Sequence, residues 1–226
     1  VISQIEKRKY DTPLGIRKSY YFDSSNNREY RRVAGGIAWP YSQESGFVCV
    51  ISEDYNKDAR LNKRHCRLLA EYASLDVERL VKRMHDYQNK YLIDMWYGDP
   101  DNELMGYFLD KFNQALLKKK KGKYRGLYIA EAPFADDPHN FKMYAHAIKS
   151  RIMRGKKSLH LGEESVLPGI LSSLSPDTIE NDRVQKYPVI AGLGFALAGM
   201  DESWVDVSSD RELHEMHVSR REVVGL

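Results

Sequence analysis

The chain has 226 residues, 42% of them apolar and 30% charged, enough for one ordinary α/β domain with a core and a well-solvated surface. No run nears the roughly 18 apolar residues of a membrane span, and no leader pattern follows Lys7, Arg8 and Lys9. A formal charge of +3 is too mild to imply nucleic acid by itself.

Residues 1–32 read as an N-terminal extension or hairpin. Lys18–Phe22 and Arg28–Val33 are β-prone and flank the polar stretch Asp23–Asn27. Val33–Trp39 reads as a strand, broken by Pro40. Gly46–Ile51 is a near-continuous apolar run, the signature of a central strand covered on both faces. Leu61–Ala73 suits a third strand, although its composition also permits a helix. Ser74 is then expected to cap a helix whose stripe is Val77, Leu80, Val81 and Met84. A strand over Tyr91–Tyr97 follows.

A second helix starts near Asp101 or Asn102 and ends in Lys118–Lys121 and Gly122, where cations meet the negative end of the helix dipole. Arg125–Ala130 is the next strand and stops at Glu131. Asp137 and Pro138 open a third helix with Phe141, Tyr144, Ala145, Ile148 and Ile152 on one face. Ser158–Leu161 reads as a short strand, and Pro188 opens an apolar helix to Met200. Residues 201–226 read as a charged peripheral tail. Cys49 and Cys66 are too few for a disulfide framework or a cysteine zinc site, so buried free thiols in a reducing compartment are expected. The chain begins with Val1 rather than Met, which suggests a processed or excised piece of a longer protein.

The most informative stretch is Leu92–Asp101. An apolar strand stops at Gly98, presents Asp99 and turns on Pro100 into a helix. Open α/β sheets place their chemistry at such strand ends. The element order, an antiparallel three-strand meander followed by βαβα units, is the ribonuclease H-like arrangement, an α/β mixed sheet flanked by helices. There is no phosphate loop of the G-x-x-x-x-G-K-[ST] type and no G-x-G-x-x-G.

Gly35-Gly-Ile-Ala-Trp-Pro40, the strand Gly46–Ile51, Tyr97-Gly-Asp-Pro-Asp101 and the small-residue helix Pro188–Met200 together resemble the C-terminal nuclease domain of the large terminase subunit of tailed bacteriophages. The resemblance covers about residues 33–200. It implies a metal-dependent endonuclease that cuts concatemeric double-stranded DNA during packaging, using Mg2+ or Mn2+. It also implies an ATPase motor domain, other packaging proteins, and the bacterial host cytoplasm as the location.

The likeness has gaps. The family has an Asp in its first strand where this chain has Ala38, and an acid near the last helix where this chain reads Tyr187–Gly192. Only Asp99 matches directly. Glu131 and Asp182 are the candidate substitutes: Asp99 and Glu131 as metal ligands, all three as catalytic acids. Each also has an ordinary explanation, as a helix cap or a loop acid. Asp94 has the opposite strand parity and is expected to pair with a basic neighbour. Candidate phosphate contacts are Lys118, Lys119, Lys120, Lys121, Lys123, Arg151, Arg154, Lys156 and Lys157, all near helix C-termini where cations are favoured anyway. A second reading keeps the fold without the chemistry: a non-catalytic nucleic-acid-binding or assembly module that has lost its metal-binding acids. A third, a small-molecule α/β enzyme, needs a closed pocket.

Overall fold

The computed structural model describes residues 4–11, 17–55, 64–99, 103–119, 127–133, 135, 137, 140–152 and 157–202. Its frame is a mixed eight-stranded sheet. In chain order the strands are β1 (Ile5–Asp11), β2 (Arg17–Asp23), β3 (Arg28–Ala38), β4 (Gly46–Asp54), β5 (Arg64–Ser74), β6 (Met95–Gly98), β7 (Ile129–Glu131) and β8 (Lys157–His160). The helices are α1 (Val77–Tyr91), α2 (Glu103–Lys119), α3 (Asn140–Ile152), α4 (Leu167–Ser173), α5 (Pro176–Asn181) and α6 (Pro188–Glu202).

β3, β4 and β5 form an antiparallel meander. β6 then lies parallel to β3 on its other side, and β7 parallel to β6. The order β5-β4-β3-β6-β7 is the ribonuclease H-like one expected from the element sequence. Gly46–Ile51 lies within β4, between β3 and β5, and every residue of that run is buried. Its alternate side chains serve two cores. Phe47, Cys49 and Ile51 face the layer containing α3 and α6, whereas Val48 and Val50 face α1. A strand buried on both faces needs no polar alternation, which explains the continuous apolar run.

α1 covers one face with Leu80, Val81 and Met84. Its cap is Asp76 rather than Ser74: the Asp76 carboxylate accepts from the Glu78 and Arg79 N–H groups at 2.9 and 3.2 Å, while Ser74 Oγ accepts from Asp76 N–H. Tyr91 closes α1 instead of opening the next strand. The turn out of α1 is made by Leu92, at φ 51°.

α6 covers the other face, and Ile190–Met200 are all buried. An apolar helix with no polar stripe suits such a position. The carbonyl of Met200 accepts from Arg32 at 2.8 Å, and Arg32 also pairs with Glu53 at 2.9 Å, which ties the end of α6 to β3 and β4. Both cysteines are free and buried, and burial pushes the Cys49 thiol up to about 12.

The expected hairpin forms, with β2 antiparallel to β3. β3 runs unbroken through position 32, so this hairpin continues directly into the central strand. β1, which the sequence pattern did not suggest, extends the sheet beyond β2. β8 pairs parallel with β5 at the opposite edge. In α3, Phe141, Tyr144 and Ile148 are buried as expected, but Ile152 is exposed. No helix among the described residues is long and apolar enough to cross a membrane.

Candidate functional site

The C-terminal ends of β3, β6 and β7 meet at one edge of the sheet. The register is Gly36 beside Tyr97 and Gly98 beside Glu131. Continued by two residues, it sets Ala38 beside Asp99. Trp39 confirms the proximity, because its indole N–H donates to the Asp99 carbonyl at 3.3 Å.

Strand parity decides which side chains share a face. Gly36 and Ala38 lie on the α6 side: Gly36 lies against Gly192 and Ala196, and Ala38 belongs to the α6 core cluster. Asp99 lies on that side too, since Gln185 Nε2 donates to its Oδ2 at 3.1 Å. Glu131 does not. Trp96 and Ile129 are register partners facing α1, so Glu131, two residues after Ile129, has the same parity. The next residue, Ala132, is the one that enters the α6 core, and its N–H bonds the Gly98 carbonyl at 2.8 Å.

Asp182 is also held elsewhere. Its carboxylate accepts from Lys186 Nζ at 2.7 Å and from the Tyr187 hydroxyl at 2.8 Å, and these two donors hold it below the usual carboxylate range. Asp99, Glu131 and Asp182 are therefore not brought together. Among the described residues no group of three or more His, Cys, Asp or Glu side chains could hold a metal ion. Register and pairing thus place Asp99 apart from Glu131 and give Asp182 its own partners.

An amide network lies beside Asp99. Gln185, in a 3-10 turn over Val184–Lys186, donates both to Asp99 and to the Ala135 carbonyl at 3.1 Å. Asn140, fully buried at the start of α3, donates to Gln185 Oε1 at 3.0 Å and to Ala135 O at 2.8 Å, and accepts from Val184 N–H at 3.1 Å. Gln185 and Asn140 thus cross-brace β6, α3 and the entry to α6. Sequence reasoning missed both, since an amide among loop residues has no spacing signature. Two cavities of about 290 and 270 Å³ lie among the described residues, and neither has Asp99, Glu131 or Asp182 in its lining.

Asp94 lies at the other end of β6. Its direct partners are the Tyr21 hydroxyl and the Val33 N–H, the latter at 3.1 Å, rather than the basic side chain expected.

The basic clusters divide. Lys118 and Lys119 end α2 and Lys157 opens β8, while Lys120, Lys121, Lys123, Arg154 and Lys156 lie outside the described residues. Arg151 is not on an open face. It is 1% exposed, with its guanidinium bonded to Cys66 Sγ at 2.9 Å and paired with Asp201 at 2.6 Å. The pair joins α3 to the end of α6, so its role is structural. Arg151→Ala leaves Asp201 without this pairing and opens a void; breaking such a pair costs about 3 kcal/mol or more. A clear fall in the urea midpoint is expected, with no change in the salt dependence of DNA binding. An unchanged midpoint would return Arg151 to the surface.

No family model matches the chain, and no curated protein matches it. Among solved structures, the chain is similar to the nuclease domain of the large terminase of bacteriophage SPP1, determined with bound Mn. Identity is 13%, over 76% of this chain and 88% of that one, with a TM-score of 0.43.

Proposed function

We propose that this chain is a nuclease-fold, DNA-engaging domain of packaging type that does not cleave DNA as it stands. The observation that supports this reading is the β3–β6 register, whose continuation past Gly36 and Tyr97 sets Ala38 beside Asp99, with the Trp39 indole bonded to the Asp99 carbonyl. Two divalent ions about 4 Å apart repel by roughly 16 kcal/mol at an effective dielectric of ~20. Several carboxylates must offset that repulsion. Among the described residues at the ends of β3, β6 and β7, Asp99 is the carboxylate on the α6 side, and it already accepts from Gln185. The described residues at this strand end do not fit a two-metal centre.

The packaging context comes from the resemblance of the Gly35–Pro40 and Tyr97–Asp101 stretches. On that basis the domain works in the bacterial host cytoplasm on double-stranded DNA, beside an ATPase motor and other packaging proteins. Its role is to hold or position DNA, and the basic stretches Lys118–Lys123 and Lys156–Lys157 of the sequence are the candidate contacts.

The test is plasmid nicking and gel retardation with the purified chain. Duplex DNA should be retarded equally in EDTA and in Mn2+, and supercoiled plasmid should survive in Mn2+. Efficient Mn2+-dependent nicking that disappears in Asp99→Asn would overturn the reading and restore the endonuclease.

A further inference from the structure

The charge of the chain is unevenly placed. Residues 1–32 contain eight lysines and arginines against four acids, so this segment carries +4 while the whole chain carries +3. The described residues of that segment are the β1–β2 ribbon and the start of β3, at the sheet end remote from Asp99. Tyr21 touches Asp94, five strand residues or roughly 16 Å from Asp99.

The ribbon is also aromatic. The register pairs Arg8 with Tyr20 and Glu6 with Phe22, and Tyr10 has the strand parity of Arg8, so these residues share one face. There Tyr20 stacks on Tyr55 with centroids 5.5 Å apart, and Tyr10 stands edge-on to both at 5.9 and 5.8 Å. Arg8 lies over the Phe22 ring at 3.7 Å and pairs with Glu6 at 3.1 Å. All four rings are half-buried, and neither core cluster includes them. Lys7 and Lys9, both exposed, project from the other face of the same edge strand.

We propose that this ribbon is a docking surface for a single strand of nucleic acid. Unpaired bases offer flat faces to aromatic rings, whereas duplex bases do not, and stacking tolerates any sequence. A strand laid across the β1 edge puts bases on Tyr10, Tyr20 and Tyr55, with phosphates near Arg8 on one side of the edge and Lys7 and Lys9 on the other. A packaging domain would meet such a strand wherever a DNA end frays. The inference goes beyond the proposed function, because it names a different ligand, a single strand, and a different surface.

The test is fluorescence anisotropy in EDTA, using a labelled oligothymidylate of about 20 nucleotides, longer than the ~4–16 that stacking folds occupy. A duplex of equal length is measured beside it. The wild-type chain should prefer the single strand. Tyr10→Leu/Tyr20→Leu should weaken that binding about tenfold or more. Lys7→Gln/Lys9→Gln, which removes charge outside either core, should lower the log–log salt slope by about 1.4. If the tyrosine variant melts, the lysine variant decides. No binding to the oligothymidylate, equal affinity for the duplex, or unchanged affinity and slope in the folded variants would overturn the assignment. Duplex binding without a single-strand preference would leave the proposed function standing and remove only this surface.

Discussion

Ala38→Asp together with Gln185→Glu should turn the strand-end site into a metal-dependent one. The first substitution places a carboxylate beside Asp99 on the same face of neighbouring parallel strands. The second replaces the amide that donates to Asp99 Oδ2 with a third acid. Without metal, three adjacent carboxylates repel, so the double variant should melt below the parent in EDTA. Manganese should reverse this. An ion present at about 100 times its Kd stabilises by about 2.7 kcal/mol, or roughly 5–10 °C for a domain of this size. The unaltered chain should show little such shift. Nicking of supercoiled plasmid should rise at least tenfold over the parent, and Asp99→Asn in the double-variant background should abolish it. Asn keeps the shape of Asp and removes its charge, so the loss would report on charge. Ala38→Asp alone should show the manganese shift more weakly and cut little, because only two of the three acids are then in place. A folded double variant with neither shift nor nicking would mean that this edge was never a metal site.

The central strands and α6 were legible because burial on both sides imposes a strong compositional demand. Gly46–Ile51 and Pro188–Met200 have almost no polar residue, and nothing but a covered strand and a covered helix accommodates them. β1 was not legible for the opposite reason. Glu6-Lys-Arg-Lys9 has no apolar alternation, and the strand exists because its backbone pairs with β2 from Ile5–Asp23 to Asp11–Arg17. The site was legible in its position and not in its membership. Asp99 could be read as a carboxylate leaving a buried strand. Whether Glu131 joins it depends on a register fixed by Trp96 with Ile129, and a shift of one residue would have sent Glu131 to Asp99's face and Ala132 away. Arg151 shows a similar limit: a helix C-terminus predicts a cation, but not that it turns inward to meet Asp201 and Cys66. Asp182 and Gln185 differ by three residues, and only the packing of the 3-10 turn decides which of them reaches Asp99.

Gly36→Ala should be among the most damaging single-methyl changes in the chain. Gly36 lies in β3 between Cys49 of β4 and Tyr97 of β6, with α6 crossing directly over it. An ideal Cβ at this position would lie 1.9 Å from the Gly192 carbonyl oxygen and 2.9 Å from Ala196 Cβ. The nearer obstacle is backbone, so no side chain can rotate away. The helix must lift, and it carries the buried run from Ile190 to Met200 with it. Overpacking typically costs 1–3 kcal/mol. A backbone clash under a central helix belongs at the upper end, so about 3 kcal/mol and roughly 6–12 °C in Tm are expected. Two comparisons give the prediction its sign. Gly192→Ala meets Phe47 Cδ1 at 3.0 Å and Phe47 O at 3.2 Å, a milder contact, and should cost less. Gly106→Ala, within α2, meets nothing within 4 Å and should stabilise by roughly 0.5–1 kcal/mol through helix propensity. Thermal melts of the three variants should therefore rank Gly36→Ala lowest, Gly192→Ala next, and Gly106→Ala above the parent. A Gly36→Ala melt equal to the parent would show that α6 does not approach β3 this closely. The placement of Gln185 at the entry to α6, and with it the account of Asp99, would then have to be rebuilt.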